Sequence, residues 1–511
     1  MGRLRNMRGI SPIAGLVLIA AALVSAASAS AQGSTKTVTI KVVGIDRNGK
    51  QVAVRPSVTP LHGSELPTTR PTYHLKPGRY FIGADVLTAT SNPDEPSQTI
   101  VDRLVNVRTS GTIKLNARGG RPVSVWLDGK DLGAPTTAAA CIGRFQGDVT
   151  LDSNFVDPTH VYLKPSRAAG LNFVWGWNSG LLKGASYDLS GQTLNSLPAH
   201  PAFRLRTSQL DKTVIQVRAG TLPGTGGSLS EWSTLSAGCG VSFLQGTVTV
   251  PSSVTVYRSP AFYQTEVDTY DESQLTSLNI VNSDQRARHG YTVTLGGAVR
   301  GPGNAVPFVH DGQLSLDPQW QFVDSVFESV AYDFTAAVKL TSGGHVVAKK
   351  QYASRPVQNF TAHAHAGRWY TLTTDARQAG PLSTRTTLAW RFKLAKGASG
   401  GVPVADTSFV PLGLDLHNRA TPGSKTSVRV SFTQGSYAFA PKPAAPVRFF
   451  AVEASFNDGK TWHGLGVVKH KGFWTFVVRN PSSGFVTLRT VTVNTHGNSS
   501  TETIYRAYGI R

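Results

Sequence analysis

The stretch Val486-Thr487-Leu488-Arg489-Thr490-Val491-Thr492-Val493 decides how this chain is read. Val486, Leu488, Thr490 and Thr492 fall on one side of an extended backbone, and Thr487, Arg489, Val491 and Val493 on the other. Period-two alternation of β-branched residues predicts a half-buried strand. The pattern recurs along the chain, in Val428-Arg429-Val430-Ser431-Phe432, Thr247-Val248-Thr249-Val250 and Thr37-Val38-Thr39-Ile40-Lys41-Val42-Val43. Gly, Pro, Asn and Asp separate these runs at short intervals, and the 51 Gly and 29 Pro of the 511 residues suit turns rather than long helices. Phe322 to Val338 comes nearest to a helical stripe, but its Phe, Val and Tyr content favours strand. The expected fold class is therefore all-β, with tandem β-sandwich domains.

The first residues read as an export leader. Arg3, Arg5 and Arg8 precede an apolar run from Ile13 to Val24, and Ala29-Ser30-Ala31 offers small residues for cleavage between Ala31 and Gln32. The mature chain is thus expected to be secreted, with no membrane insertion. After a signal peptide at 1–31, four pieces are expected: 33–118, a disulfide-bearing β domain at 119–260, a larger sandwich at 261–412, and an Ig-like sandwich at 413–511. Pro77-Gly78 suits a type II turn inside the first, because Gly takes positive φ there.

Cys141 and Cys239 are the two cysteines. In an exported chain such a sparse, even count suggests one disulfide. The formal charge is +21, unevenly spread. Gln264 to Asp333 holds ten acids against three arginines, and Ser424 to Arg511 holds eleven Lys or Arg against three acids. The basic residues are dispersed, with no arginine stripe, so no specific nucleic-acid partner is expected. Charge of this sign does fit adhesion to anionic wall polymers.

Several residues invite a functional reading. In Phe173-Val174-Trp175-Gly176-Trp177, a strand would align Phe173, Trp175 and Trp177 on one face, either as core or as a ligand platform. His363 and His365 would share a strand face, with His345 the nearest further imidazole. Glu266, Asp268, Asp271 and Glu272 are acidic but lack a calcium-loop spacing. Ser179 lies between Asn178 and Gly180 without the spacing of a serine elbow. No phosphate loop or dinucleotide fingerprint is present, and no metal or cofactor is expected. Ser455-Phe456-Asn457-Asp458-Gly459-Lys460-Thr461-Trp462 approaches the Asp-box, Ser-x-Asp-x-Gly-x-Thr-Trp, with Asn457 in place of Asp. Sialidase propellers repeat that box once per blade, and here it occurs once. Ser455, Asn457, Gly459, Thr461 and Trp462 are therefore read as a structural hairpin.

Both ends of the chain resemble the non-catalytic β extensions of secreted bacterial subtilisin-like serine proteases. Thr112 to Val123, the Asp46–Lys50 turn and Lys76-Pro77-Gly78-Arg79-Tyr80 carry the likeness in front. The two turns are similar to those of carboxypeptidase-regulatory-like sandwiches. Arg368–Leu372, Leu388–Phe392, Phe456–Trp462, Gly484–Arg489, Gly497-Asn498-Ser499 and Arg506–Gly509 carry it behind. The protease motifs Asp-Thr/Ser-Gly, His-Gly-Thr and Gly-Thr-Ser-Met-Ala are missing from the sequence, so the resemblance implies accessory domains without a triad. The expected function is a secreted, non-enzymatic binding, adhesion or structural protein. Its expected partner is cell-wall or extracellular polysaccharide. The alternative is a secreted hydrolase whose site is assembled within 124–412.

Overall fold

A computed structural model describes residues 37–511 outside 63–65, 67–70, 93–95, 143–159, 181–184, 220–225, 236–238, 272–273, 285–289, 304–305, 325–328, 332–333, 354–357, 435–441 and 444–445. The leader at 1–31 lies outside the described residues. Within them the chain is all β, as the alternation predicts, broken by two 3₁₀ turns at Thr207–Gln209 and Pro318–Gln321. No helix among the described residues is long and apolar enough to cross a membrane.

The first sandwich faces a four-stranded sheet against a five-stranded one. Val38–Ile45 is the hub of the smaller sheet, pairing antiparallel with Gln51–Val52 and Thr72–Leu75 and parallel with Gly111–Asn116. Its alternate residues Val38, Ile40 and Val42 are buried against Ile82 and Val86 of Gly78–Thr88. Ser97–Val107 of the larger sheet also pairs, in parallel, with Val161–Leu163.

The middle of the chain is built in three layers. A six-stranded sheet (Thr137–Cys141, Asn172–Asn178, Ala185–Thr193, Ser252–Arg258, Asp211–Val217, Tyr291–Leu295) is packed on both sides at its Cys141 end. One cover is a three-stranded sheet holding Phe203 and the other a five-stranded sheet holding Phe243. Small residues make this possible. Ala138 and Ala140 face one cover, while Ala139 and Cys141 face the other.

The last third hangs on one nine-stranded sheet, from His345–Tyr352 at one edge to His463–Leu465 at the other. Two smaller sheets cover the same side of it. Val309, Leu314 and Phe360 pack on Leu372, Leu388 and Trp390, and Phe409, Val430 and Phe476 pack on Val452, Leu488 and Ile504. The opposite side of the large sheet carries the partly exposed residues of the same alternation.

Strand pairing also runs across residues 118, 260 and 412. Val161–Leu163 completes the first sandwich from beyond residue 118. Gly226–Thr234 pairs with Phe262–Asp271 across residue 260, and Arg385–Lys393 pairs with Ser499–Ile510 across residue 412. Local turn chemistry marks where the chain bends; it holds no information about which distant strand closes a sheet.

Candidate functional site

Cys141 and Cys239 are bonded, with their Cα atoms 6.4 Å apart. The bridge ties the edge strand of the six-stranded sheet to the facing five-stranded sheet, among Val174, Val241 and Phe243. Beside it, Phe173 and Trp175 are fully or almost fully buried. They stack on Phe203 with ring centroids 5.8 and 4.7 Å away. A Cβ on Gly191 would stand 2.7 Å from the Trp175 ring, so the opposite strand is shaped to that indole. Trp177 is half-buried and its Nε1 donates to the Leu132 carbonyl at 3.2 Å. Phe173 and Trp175 are therefore core, the first of the two readings of this row, and Trp177 packs partly buried against the same cluster.

The same two sheets enclose a charged cluster. Arg258 and Glu231 are both fully buried. Arg258 Nε donates to Glu231 Oε2 at 3.1 Å, and Nη2 donates to Glu231 Oε1 and to Thr265 Oγ1. Thr265 Oγ1 donates in turn to Glu231 Oε1 at 2.8 Å. Asp188 and Asp211, both buried, stand opposite Arg258 on the two neighbouring strands. The Tyr263 ring lies 4.8 Å from the guanidinium and its hydroxyl donates to the Ser259 carbonyl. Burial, then the Asp188 charge, push the Tyr263 hydroxyl far above its ordinary value. Substrate has no path to groups without exposure, so this cluster organises the core.

The strand Gly226–Thr234 that supplies Glu231 runs against hydropathy. Leu229, Glu231 and Ser233 point inward, whereas Trp232 is turned out and 50% exposed. Register sets Trp232 opposite Gln264, Ser230 opposite Glu266 and Ser228 opposite Asp268. Directly opposed side chains have Cβ atoms about 5 Å apart. The outer face of this five-stranded sheet therefore groups an indole with an amide and two carboxylates. Gln264 is hydrogen-bonded to the Glu266 carboxyl. Partial burial, then Asp268, raise Glu266 above the usual carboxylate range. Trp232 was legible only through its neighbour. Once Glu231 is buried by an arginine partner, alternation forces the indole outward.

The other expected sites have structural surroundings. Ser455 Oγ accepts from the Gly459 amide at 2.9 Å, Asn457 Oδ1 accepts from the Thr461 amide at 2.9 Å, and Gly459 takes φ 86°. The half-buried Trp462 is capped by the Arg489 guanidinium at 4.1 Å. Ser179 Oγ accepts from the Tyr187 amide and donates to the Gly180 carbonyl, fixing a turn. His363 and His365 are exposed, and no group of three His, Cys, Asp or Glu able to hold a metal occurs among the described residues. Glu266 and Asp268 lie on the Trp232 face; Glu272 falls outside the described residues.

A second buried polar seam lies where the two covering sheets of the last third meet. Glu502 is 3% exposed, and a Cβ on Gly301 would stand 2.6 Å from its Oε1. Buried Asp406 and Arg300 lie in the same part of the core, with Thr407 hydrogen-bonded to Glu502. Desolvation, then the Asp406 charge, hold the Glu502 carboxyl well above its ordinary value. A raised carboxyl contributes stability that is complete below the ordinary glutamate range. That stability is lost as pH rises through the folded value. Glu502→Gln is expected to raise Tm at about pH 8 and to leave it unchanged at about pH 3, where both states are protonated. Thermal scans of the two proteins across that range provide the check, and equal Tm values at both ends would refute it.

No protein-family model matches this chain, and no curated protein sequence does. Among solved structures it is similar to Escherichia coli alpha-2-macroglobulin activated by porcine elastase, at 11% identity and a TM-score of 0.15. That match covers 93% of this chain and 53% of the other, so the chain spans about half its length. It is also similar to the FN1–FN3 domains of chicken CNTN1, at 10% identity and a TM-score of 0.13, over 58% of this chain and 98% of that one. Overlaps of this size carry no argument about activity; the architecture rests on the strand pairing itself.

Proposed function

We propose that this is a secreted, non-enzymatic binding protein that holds neutral polysaccharide of the cell wall or extracellular space on the open sheet face around Trp232. One observation carries the reading: a half-exposed indole on the outer face of the sheet, with hydrogen-bonding groups at Ser230, Gln264 and Glu266 beside it. An exposed large apolar side chain on an ordered surface is the informative exception to burial. The C–H face of a sugar ring stacks on an indole while its hydroxyls bond to the flanking amide and carboxyl groups. Glu266 and Asp268 repel a polyanion, which is why the ligand is neutral. The likeness to protease extensions agrees with such an accessory role, a module that positions something else on a polymer.

Trp232→Ala is expected to lower retention on insoluble neutral wall polysaccharide at least tenfold, with little change in Tm, since an exposed side chain is removed. High salt is expected to leave wild-type retention intact. If wild type and variant are retained equally, or wild type is not retained even at low salt, the reading fails.

A further inference from the structure

The outer side of the nine-stranded sheet carries a second candidate surface, independent of Trp232. Between His345–Tyr352 and Trp369–Gln378, strand Phe334–Ser342 presents the small Ala337, and a hollow of about 530 Å³ opens above it. Lys339, Lys349, Gln351 and Thr373 stand around it. Lys339 and Lys349 are directly opposite in the ladder. Like charges in that position destabilise a sheet. The one acid at the hollow, Asp375, is already held by Arg385 through two hydrogen bonds of 2.9 and 2.7 Å, with Arg377 Nε 3.8 Å from its Oδ1. Lys350 turns its ammonium toward Gln358 and the Tyr352 ring. Neither Lys339 nor Lys349 has an ion pair among the described residues. Lysines on an edge strand guard against edge-to-edge pairing, and Lys349 is so placed. Lys339 is on the strand inside it, where that guard has no use.

We infer that this hollow binds the phosphate groups of a linear, phosphate-bearing glycopolymer. Two ammonium groups at a cross-strand spacing act as point charges suited to phosphate. The nearby Arg385 fork is already engaged by Asp375, which leaves the lysine pair as the free cationic groups of the hollow. The hollow's walls are a threonine, a glutamine and an alanine, with no ring on which a base could stack, which disfavours nucleic acid.

Full-length mature protein titrated with poly(glycerol phosphate) tests this, with oligo(dT) as comparator. Wild type is expected to bind the glycerol phosphate polymer more tightly than oligo(dT), with affinity falling as salt rises. Lys339→Glu is expected to weaken binding at least tenfold. It should leave Tm equal or higher, because an opposite-charge pair replaces a like-charge one. Lys349→Gln gives the same loss without a new acid, and Trp232→Ala binds as wild type does. The inference is overturned if wild type fails to bind, if both lysine variants bind unchanged, or if oligo(dT) binds as tightly.

Discussion

Cys141→Ala/Cys239→Ala should unfold at a temperature roughly 8–20 °C below the oxidised protein, at about 2–4 °C for each kcal/mol in a unit of this size. The bond closes a sequence separation of 98 residues. Loop-closure entropy in the unfolded chain puts the effect of such a closure at about 4–5 kcal/mol. The structure gives a reason to expect most of it. Both cysteines are buried where two sheets face each other, and neighbouring Ala139, Val174 and Val241 are buried with them. Alanine fills the same apolar space without adding a hydroxyl. Scanning calorimetry of the two proteins measures the shift, and one under about 2 °C would mean that the bridge constrains little.

The second large effect concerns the buried guanidinium. Arg258→Met removes the partner of Glu231 while leaving that carboxylate at zero exposure, with Asp188 and Asp211 on the flanking strands. Stranding a buried charge costs about 3–5 kcal/mol. Adding Glu231→Gln to the same protein should recover part of that loss, since the stranded Glu231 carboxylate is then gone and Thr265 still has a partner, while Asp188 and Asp211 remain buried on the flanking strands. Urea unfolding of the single and double variants gives the comparison. A double variant no more stable than the single one would mean that the pair is not the organising contact of these two sheets.

The alternation in Val486–Val493 was enough to read the fold class, because period two has one structural meaning when a sheet face is buried. It reads correctly in the structure, where Val486, Leu488, Thr490 and Thr492 are buried. Sheet membership was not legible. Val161–Leu163 joins the first sandwich and Ser499–Ile510 joins Arg385–Lys393 through contacts far apart in sequence, and no local residue choice encodes them. The aromatic residues show the same limit at the level of a site. Phe173 and Trp175 were the visible row, but where the strand is covered on both sides its side chains are buried, and aromatics fill that space well. Trp232 sits in a serine-rich strand and stands out only after Arg258 is known to reach Glu231. The Asp-box hairpin was readable in full because its partners are within eight residues of one another, from Ser455 to Trp462.

Hydroxyl-radical footprinting with and without a soluble neutral wall oligosaccharide tests the binding face most directly, because oxidation reads side-chain exposure one residue at a time. Trp232, half exposed in the free protein, should be oxidised readily and become protected when the sugar is present, while Trp175 stays inert in both states. Unchanged oxidation of Trp232 alongside saturating sugar, or protection confined to another surface, would contradict the assignment of that sheet face as the place where this protein binds.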